Sequence, residues 1–440
     1  MASLSNIDIK CKSNFSMNFS GGDMTSDAGL ALLYEFMDKI GFKRMASQRF
    51  GKPCPLKTHS DADLLMQKIL LLLSGYGTDD EADHLAHEPL LKLLLGKKRL
   101  ASQPTMSRFM TRLDDETKQQ LENLNKEILR ASYSAEPPEN IVLDVDTTLL
   151  PTYGKQEGGE YVYHYDAVGF HPIAVFDGLT GDLVRIELRK GKMYCGKDAD
   201  KFLKPVLDAY DRDYPGTNVL VRGDSGFANP DVYDLVEKYG YSYVIRLKQN
   251  ARLMAAVQDI CDAMSAEAAQ SDKTHFVRYC EFWYKAQSWS HERRVVCKIE
   301  LHKRAEQSLF PDPPMFIVTN LDAPMQEVIG AYCKRGTMEN FFKEAKNEFA
   351  FTHMSSRNML TNANRLWICA LAYNIFNLFR RFCLQKKWRS YRAHELRLRL
   401  VKIAGRVVRH ANKIVFKLCS SCPYQDAFQQ AHLRIQLLMD

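Results

Sequence analysis

The chain has no apolar run long enough to cross a bilayer. Its longest strongly apolar, uncharged stretch, residues 366–379, contains Asn374 and Asn377 and is fourteen residues long, where a span needs about twenty. That stretch reads as a buried core helix. Residues 1–8 lack the basic and apolar regions of a signal peptide. No tandem repeat and no low-complexity tract is present, which argues against solenoids and disordered scaffolds. The eleven cysteines are scattered singly apart from Cys419-Ser-Ser-Cys422. An odd total without a secretory signal points to reduced thiols in a cytosolic protein rather than a disulfide framework. Cys419 and Cys422 have the spacing of half a zinc site, with His410 and His432 near in sequence, but the second pair has no recognisable spacing.

What is present is length and unevenly placed charge. With 440 residues, two or three units with sizeable cores are expected. Residues 380–417 hold thirteen Lys or Arg against one acid, Glu395, so this segment carries +12 in a chain of +7 and the remainder carries −5. Interleaved with Trp388, Tyr391, Leu396, Leu398 and Leu400, this block fits a folded surface facing a polyanion, and Lys386, Lys387 and Arg389 are its candidate DNA contacts. A solvated helix face is the plain alternative.

Residues 1–138 read as a helical N-terminal region. Thr25-Ser-Asp27 offers cap chemistry before a helix over 28–37, and Ser60-Asp61 does so before 64–73. A third helix is expected over 105–124. Basic residues on both sides of a capped turn at 96–112 suit a helix-turn-helix presenting Arg108 and Arg112 to DNA, and equally an ordinary surface helix start. Ala135-Glu-Pro-Pro-Glu139 is the candidate linker. Strand signals follow at 141–146, 171–176 and 183–188, then a helix at 198–210, a strand at 218–222, a helix at 230–239 and a strand at 241–247. This α/β order with a mixed sheet is similar to that of ribonuclease H-like domains. The expected core spans 139–378, with a β-rich insertion at about 250–315 and a basic C-terminal region over 379–440. The two insertion strands are joined by Gln287-Ser-Trp-Ser-His291. Trp289 there is placed either to stack on an extruded base or to pack back on the insertion.

Three carboxylates stand out. In the strand Ile141-Val-Leu-Asp-Val-Asp146, alternation puts Val142, Asp144 and Asp146 on one face. Either aspartate could be a ligand. Asp146 is preferred because it sits at the strand end, before Thr147 and Thr148. Asp224 follows another apolar strand between Gly223 and Gly226. Glu339 belongs to a helical stripe in which Tyr332, Arg335, Glu339 and Lys346 recur at offsets of three, four and seven. Such a stripe is also what an ordinary charge-paired helix face looks like. Hard oxygen donors with open positions suit Mg²⁺ or Mn²⁺, and two ions about 4 Å apart can activate a nucleophile and stabilise the departing oxygen of a phosphodiester.

These residues resemble those of DDE-type bacterial insertion-sequence transposases of the "DDE domain group 1" kind. The resemblance rests on Asp144-Val-Asp-Thr-Thr148 with Tyr153-Gly-Lys-Gln156, on Arg222-Gly-Asp-Ser-Gly-Phe227, and on Tyr332-x2-Arg335-x3-Glu339-x6-Lys346. Ser102-Gln-Pro-Thr-Met-Ser-Arg108, Ile317-Val-Thr-Asn-Leu321, Ala363-Asn-Arg-Leu366 and Leu371-Ala-Tyr-Asn374 extend it over nearly the whole chain. It implies a ribonuclease H-like catalytic core, Asp146, Asp224 and Glu339 as ligands of Mg²⁺ or Mn²⁺, and Tyr332, Arg335, Lys343 and Lys346 as DNA contacts. The implied activity is strand cleavage at transposon ends and strand transfer into target DNA. The implied partners are double-stranded DNA, as terminal inverted repeats and target, and further copies of the chain in a synaptic complex. The expected setting is cytoplasmic, at the nucleoid when bound to DNA, with no membrane. A metal-dependent nuclease without strand transfer, or a domesticated non-catalytic DNA-binding protein, are the alternatives. Lys192 stands where the family pattern has Asn.

Overall fold

A computed structural model describes residues 7–8, 16–51, 58–135, 138–303, 312–411 and 413–438. Residues 136 and 137 of the expected linker, and 304–311 of the expected insertion, lie outside these. The contacts divide the chain into two compact units rather than three consecutive domains. One comprises Met1–Ser132, Glu344–Met354 and Leu360–Asp440; the other comprises Tyr133–Lys343 and Ser355–Met359.

The second unit is built on one eight-stranded mixed sheet. Its strands are β1 (Asn140–Thr147), β2 (Ile173–Asp177), β3 (Leu183–Glu187), β4 (Asn218–Gly223), β5 (Ser242–Leu247), β6 (His275–Tyr284), β7 (Arg293–His302) and β8 (Met315–Thr319). Their order is β6-β7-β8-β5-β4-β1-β2-β3. β1, β4 and β5 run parallel, whereas β2 is antiparallel to β1, and β8 to β5. The portion β3-β2-β1-β4-β5 is the mixed sheet of a ribonuclease H-like core. The two insertion strands, β6 and β7, pair antiparallel and join the core sheet through β8.

Period-two alternation sorts the strand side chains. Leu143 and Val145 of β1, with Val219 and Val221 of β4, face the helices Ala199–Asp213 and Pro230–Lys238, whose Phe202, Leu203, Val206, Val232 and Val236 complete a continuous core. On the opposite face Val244, Val296 and Ile317 receive Val328, Ile329 and Tyr332 of the helix Met325–Cys333. Asp144 and Asp146 lie on this opposite face. These two acids, amid the apolar residues of β1, thus mark where the covering helix meets the sheet. A three-stranded side sheet of Leu150–Pro151, Glu160–Val162 and Ala167–Phe170 is inserted between β1 and β2.

The first unit is mainly helical. Ser60 makes a capping box with Asp63 at the start of the helix Asp61–Ser74, as its cap chemistry predicts. Asp27, expected to cap the first helix, does not. That helix, Leu30–Lys39, starts at Gly29 without a side-chain cap, and Asp27 instead accepts from the Tyr76 hydroxyl at 2.7 Å and pairs with Lys402 at 2.6 Å. Gly29 is needed there because a Cβ would collide with the Leu400 carbonyl. The single helix expected over 105–124 is two, Gln103–Thr111 and Asp115–Ala135. Asp114 stops the first and accepts from the Thr117 amide at 2.9 Å. The apolar stretch 366–379 lies within the buried helix Met359–Cys383, where Asn374 bonds to Asn125 at 2.7 Å. No described helix is long and apolar enough to cross a membrane.

Asp79 shows what holds this unit together. Its carboxylate sits 2.8 Å from both the Lys68 ammonium and the Arg365 guanidinium. Burial alone would raise its pKa, but the two cations hold it down at about 2. A carboxylate with a depressed folded-state pKa contributes stability above its ordinary value, which is lost as pH falls towards the folded value. Asp79→Asn should cost on the order of 3 kcal/mol at neutral pH, read by urea unfolding. The gap to wild type should close between about pH 4 and pH 2; a gap independent of pH would contradict this assignment.

Candidate active site

β1 and β4 are parallel neighbours, so their C-terminal ends open at the same edge of the sheet, where α/β proteins bind ligands. Asp146 stands near the end of β1, and Asp224 follows Gly223, the last residue of β4, which pairs with Val145. Asp224 accepts from the Gly226 amide at 2.8 Å and so caps the short 3-10 turn Ser225–Phe227. A Cβ on Gly226 would strike the Cys195 sulfur, which accounts for glycine there. The two carboxylates line one cavity of about 400 Å³, together with Tyr163, Tyr165, His171 and Tyr194.

Electrostatics tie the pair together. The Arg335 guanidinium donates to Asp146 at 2.8 Å and lies over the Tyr332 ring, 5.9 Å from its centroid. Burial pushes the Asp146 carboxyl up from its ordinary range; Arg335 pulls it down, and the nearby Asp224 charge pushes it up again. The Tyr165 hydroxyl is raised to about 12 by burial and then by the negative charge of Asp146 and Asp224. His171 bonds through Nδ1 to the Met193 carbonyl and through Nε2 to the Thr147 hydroxyl, both at 2.9 Å. The carbonyl can only accept, so Nδ1 carries a proton, and in the neutral ring Nε2 accepts from the hydroxyl. Burial lowers its pKa in the same sense.

Asp144, the other aspartate on this face, is spent elsewhere. It is fully buried and accepts two bonds from Arg222, at 2.6 and 2.7 Å, directly across the β1–β4 register. Both of its oxygens are engaged by the guanidinium and neither meets solvent. Arg222 also donates to the Ala331 carbonyl at 2.7 Å, which anchors the helix that leads to Arg335. Sequence reasoning took Arg222 only as part of a motif. Its facing position opposite Asp144 in a parallel pair was the missed signal.

The helical stripe is less uniform than its spacing suggests. A 3-10 turn, Lys334–Gly336, separates Met325–Cys333 from the helix Thr337–Glu348. Tyr332 is buried beneath Arg335, so its ring positions the guanidinium rather than offering an open phosphate contact. Glu339 and Lys343 are exposed on the following helix, and Glu339 does not line the cavity. Lys346, near the end of that helix, belongs to the other unit; it is half-buried, and burial lowers its pKa.

Other expected contacts divide. Trp289 is not an exposed loop tip: it is 6 % exposed, packs edge-to-face on Tyr233 and Tyr284, and lies under the Arg293 guanidinium. Its indole is core, which corrects the stacking expectation. Arg108 is exposed, whereas Arg112 is engaged by Asp61. Lys386, Lys387 and Arg389 are exposed on the short helix Lys386–Arg389. The rest of the basic block is not one open face. Arg380 pairs with Glu344, Arg397 with Glu348, and Lys402 with Asp27, at 2.8, 3.1 and 2.6 Å. Cys419 and Cys422 gather no His into a metal group among the described residues. The one such group there is Asp234, Glu237 and His291, and Arg293 already pairs with both of its acids.

The family model described as "Transposase DDE domain group 1" matches residues 8–440. The chain belongs to the DDE transposase family. Among solved structures it is similar to a piggyBac transposase synaptic complex with hairpin DNA, at 12% identity over 80% of this chain and 76% of that one, with a TM-score of 0.39. It is also similar to a Mos1 transposase paired-end complex with the left transposon end, at 14% identity over 50% and 74%, and to a Mos1 mariner paired-end complex with Mn, at 16% over 56% and 84%, both with a TM-score of 0.18. No curated protein matches.

The two aspartates of β1 separate by stability. Asp144→Ala strands the Arg222 charge in the core and should cost on the order of 3–5 kcal/mol. Asp146→Asn should leave the thermal midpoint almost unchanged, because burial and Asp224 already oppose its ionised form. Equal losses in a thermal melt would contradict these roles.

Proposed function

We propose that this DDE transposase cleaves DNA strands at the ends of its element and transfers the freed end into target DNA, using Asp146, Asp224 and Glu339 around Mg²⁺ or Mn²⁺. The observation that carries the reading is the convergence of Asp146 and Asp224 at the C-terminal ends of two adjacent parallel strands, in a chain of this family.

The donor set fits a hard divalent cation. Carboxylate oxygens are the ligands such ions take. The excess negative charge felt by both Asp146 and Tyr165 is what a cation would relieve. When bound, the cation supplies Lewis-acid stabilisation of the phosphoryl oxygens and makes a water nucleophilic at neutral pH. The protein's own groups do the rest. Asp146 and Asp224 would hold the cation from the ends of β1 and β4, and Glu339, in the first turn of its helix, would be the third carboxylate. Arg335, held over Tyr332, is free to exchange Asp146 for a phosphate oxygen, a partner to which a guanidinium binds at least as well. Lys343 and Lys346 extend the cationic helix. Arg108, Lys386, Lys387 and Arg389 would hold the duplex through its phosphates, which position without reading sequence. Pairing of two ends by two or more copies of the chain, acting on cytoplasmic DNA, completes the reading.

Asp146→Ala, Asp224→Ala and Glu339→Ala should each abolish cleavage of an end-labelled terminal-repeat duplex in Mg²⁺ while leaving its binding within about twofold, since affinity comes mainly from phosphate contacts elsewhere. Full activity in any one of them would remove that residue from the triad. Cleavage without joining to a target plasmid would make the protein a nuclease. Separately, replacing Lys386, Lys387 and Arg389 by Gln should lower the slope of log K against log salt by about one unit per lost contact. An unchanged slope would assign this short helix to solvent.

A further inference from the structure

The side sheet carries chemistry that the strand-cleavage reading does not use. The turn joining Glu160–Val162 to Ala167–Phe170 presents Tyr163, His164 and Tyr165, and it is closed by a bond from the Tyr161 hydroxyl to Asp166. The rings fall into two groups, one at the tip of the turn and one running back towards β1. Tyr161 and Tyr163 meet edge-to-face at 5.1 Å, His164 and Tyr165 at 4.8 Å, and Tyr165 and His171 at 5.9 Å. The Tyr165 hydroxyl donates to the Thr147 carbonyl at 3.3 Å, one residue beyond Asp146. The second group therefore leads from the turn to the strand end that bears the carboxylate.

Two tyrosines at the mouth of the cavity are open to solvent, one from this turn and one from the loop that follows β3. Tyr163 is 83 % and Tyr194 65 % exposed, and both line the cavity that holds Asp146 and Asp224. Lys248 lines it too and is exposed. Exposed tyrosines beside a pair of carboxylates are poorly explained by packing. Edge-to-face contact between rings leaves ring faces available to a planar guest. Aromatic faces with a nearby ammonium are the chemistry that receives unpaired nucleobases without reading their sequence. A blunt end offers only the outer face of its terminal pair, held in the plane of the duplex, whereas an unpaired base can turn out of the stack and offer both faces to the rings. We propose that Tyr163 and Tyr194 form a platform that seats one or two unpaired nucleobases of the DNA strand whose phosphate lies at Asp146 and Asp224. The proposal rests on the strand-cleavage reading and deepens it: the site takes a strand-separated end in preference to a blunt one.

The test uses the full chain, in EDTA so that no strand is cut. Fluorescence anisotropy is measured with two labelled probes: a blunt duplex of about 20 base pairs, a span suited to a specific site, and the same duplex carrying a few unpaired nucleotides at one end. Wild type should bind the unpaired end about tenfold more tightly, the scale expected for one stacked base. Tyr163→Ala and Tyr194→Ala should each remove most of that preference without changing blunt-duplex affinity, and Tyr163→Phe and Tyr194→Phe should keep it. Both side chains are largely exposed, so the alanine variants should melt as wild type does. A wild-type ratio of one, with good binding to both probes, overturns the platform and leaves the cleavage reading standing. Phenylalanine variants that behave like alanine overturn stacking in favour of a hydroxyl contact. An unchanged ratio with altered sedimentation in the alanine variants overturns it in favour of a contact between copies. Failure of wild type to bind either probe brings down the transposase reading and the platform together.

Discussion

The Asp144–Arg222 ion pair is the constraint on which the site depends. Both side chains are almost wholly removed from water, a state that costs several kcal/mol per ion unless every hydrogen-bonding position is answered. Here each guanidinium nitrogen has an acceptor: two bonds go to the carboxylate and a third to the Ala331 carbonyl. Gly178 closes against the pair, and a Cβ at that position would overlap both side chains. The pair joins β1 to β4 across their register and joins both to the helix Met325–Cys333. Those three elements deliver Asp146, Asp224 and Arg335. The pair is thus a positioning device whose charge is fully consumed, and this leaves the neighbouring Asp146 free for chemistry.

Two residues further along β1 the balance is reversed. Asp146 has one cation, Arg335, and a second carboxylate close by. The Arg335 side chain lies on a ring it can slide over, and the helix that carries it tightens into a 3-10 turn at that point. A short 3-10 segment inside a helix often marks a place where geometry is adjusted for function. One strand therefore holds a closed ion pair and an open one on the same face, separated by a single inward-facing valine.

Much of this was legible in the sequence because it is local. Strand alternation put Asp144 and Asp146 on one face, the glycines around Asp224 signalled a tight turn, and Ser60 announced its helix. What could not be read depends on partners distant along the chain. Asp27 looks like a cap until Lys402 and Tyr76 are seen to claim it. Trp289 looks like an exposed loop residue until Tyr233, Tyr284 and Arg293 close around it. The basic block looks like one open face until Asp27, Glu344 and Glu348 neutralise part of it. The insertion strands were legible as strands, but β-sheet edges carry no label for the strand they will join. The tyrosines of the side sheet were plain in the sequence, but nothing local places them at the end of β1.

The central claim is that a divalent cation binds at the ends of β1 and β4. Fe²⁺ substituted for Mg²⁺, with ascorbate and peroxide, generates radicals that cut the polypeptide beside the bound metal, and mass spectrometry locates the cuts. The account predicts cuts next to Asp146, Asp224 and Glu339, suppressed by excess Mg²⁺ and absent in Asp224→Ala. Cuts confined to Asp234, Glu237 and His291, the one metal-like group among the described residues, would contradict it.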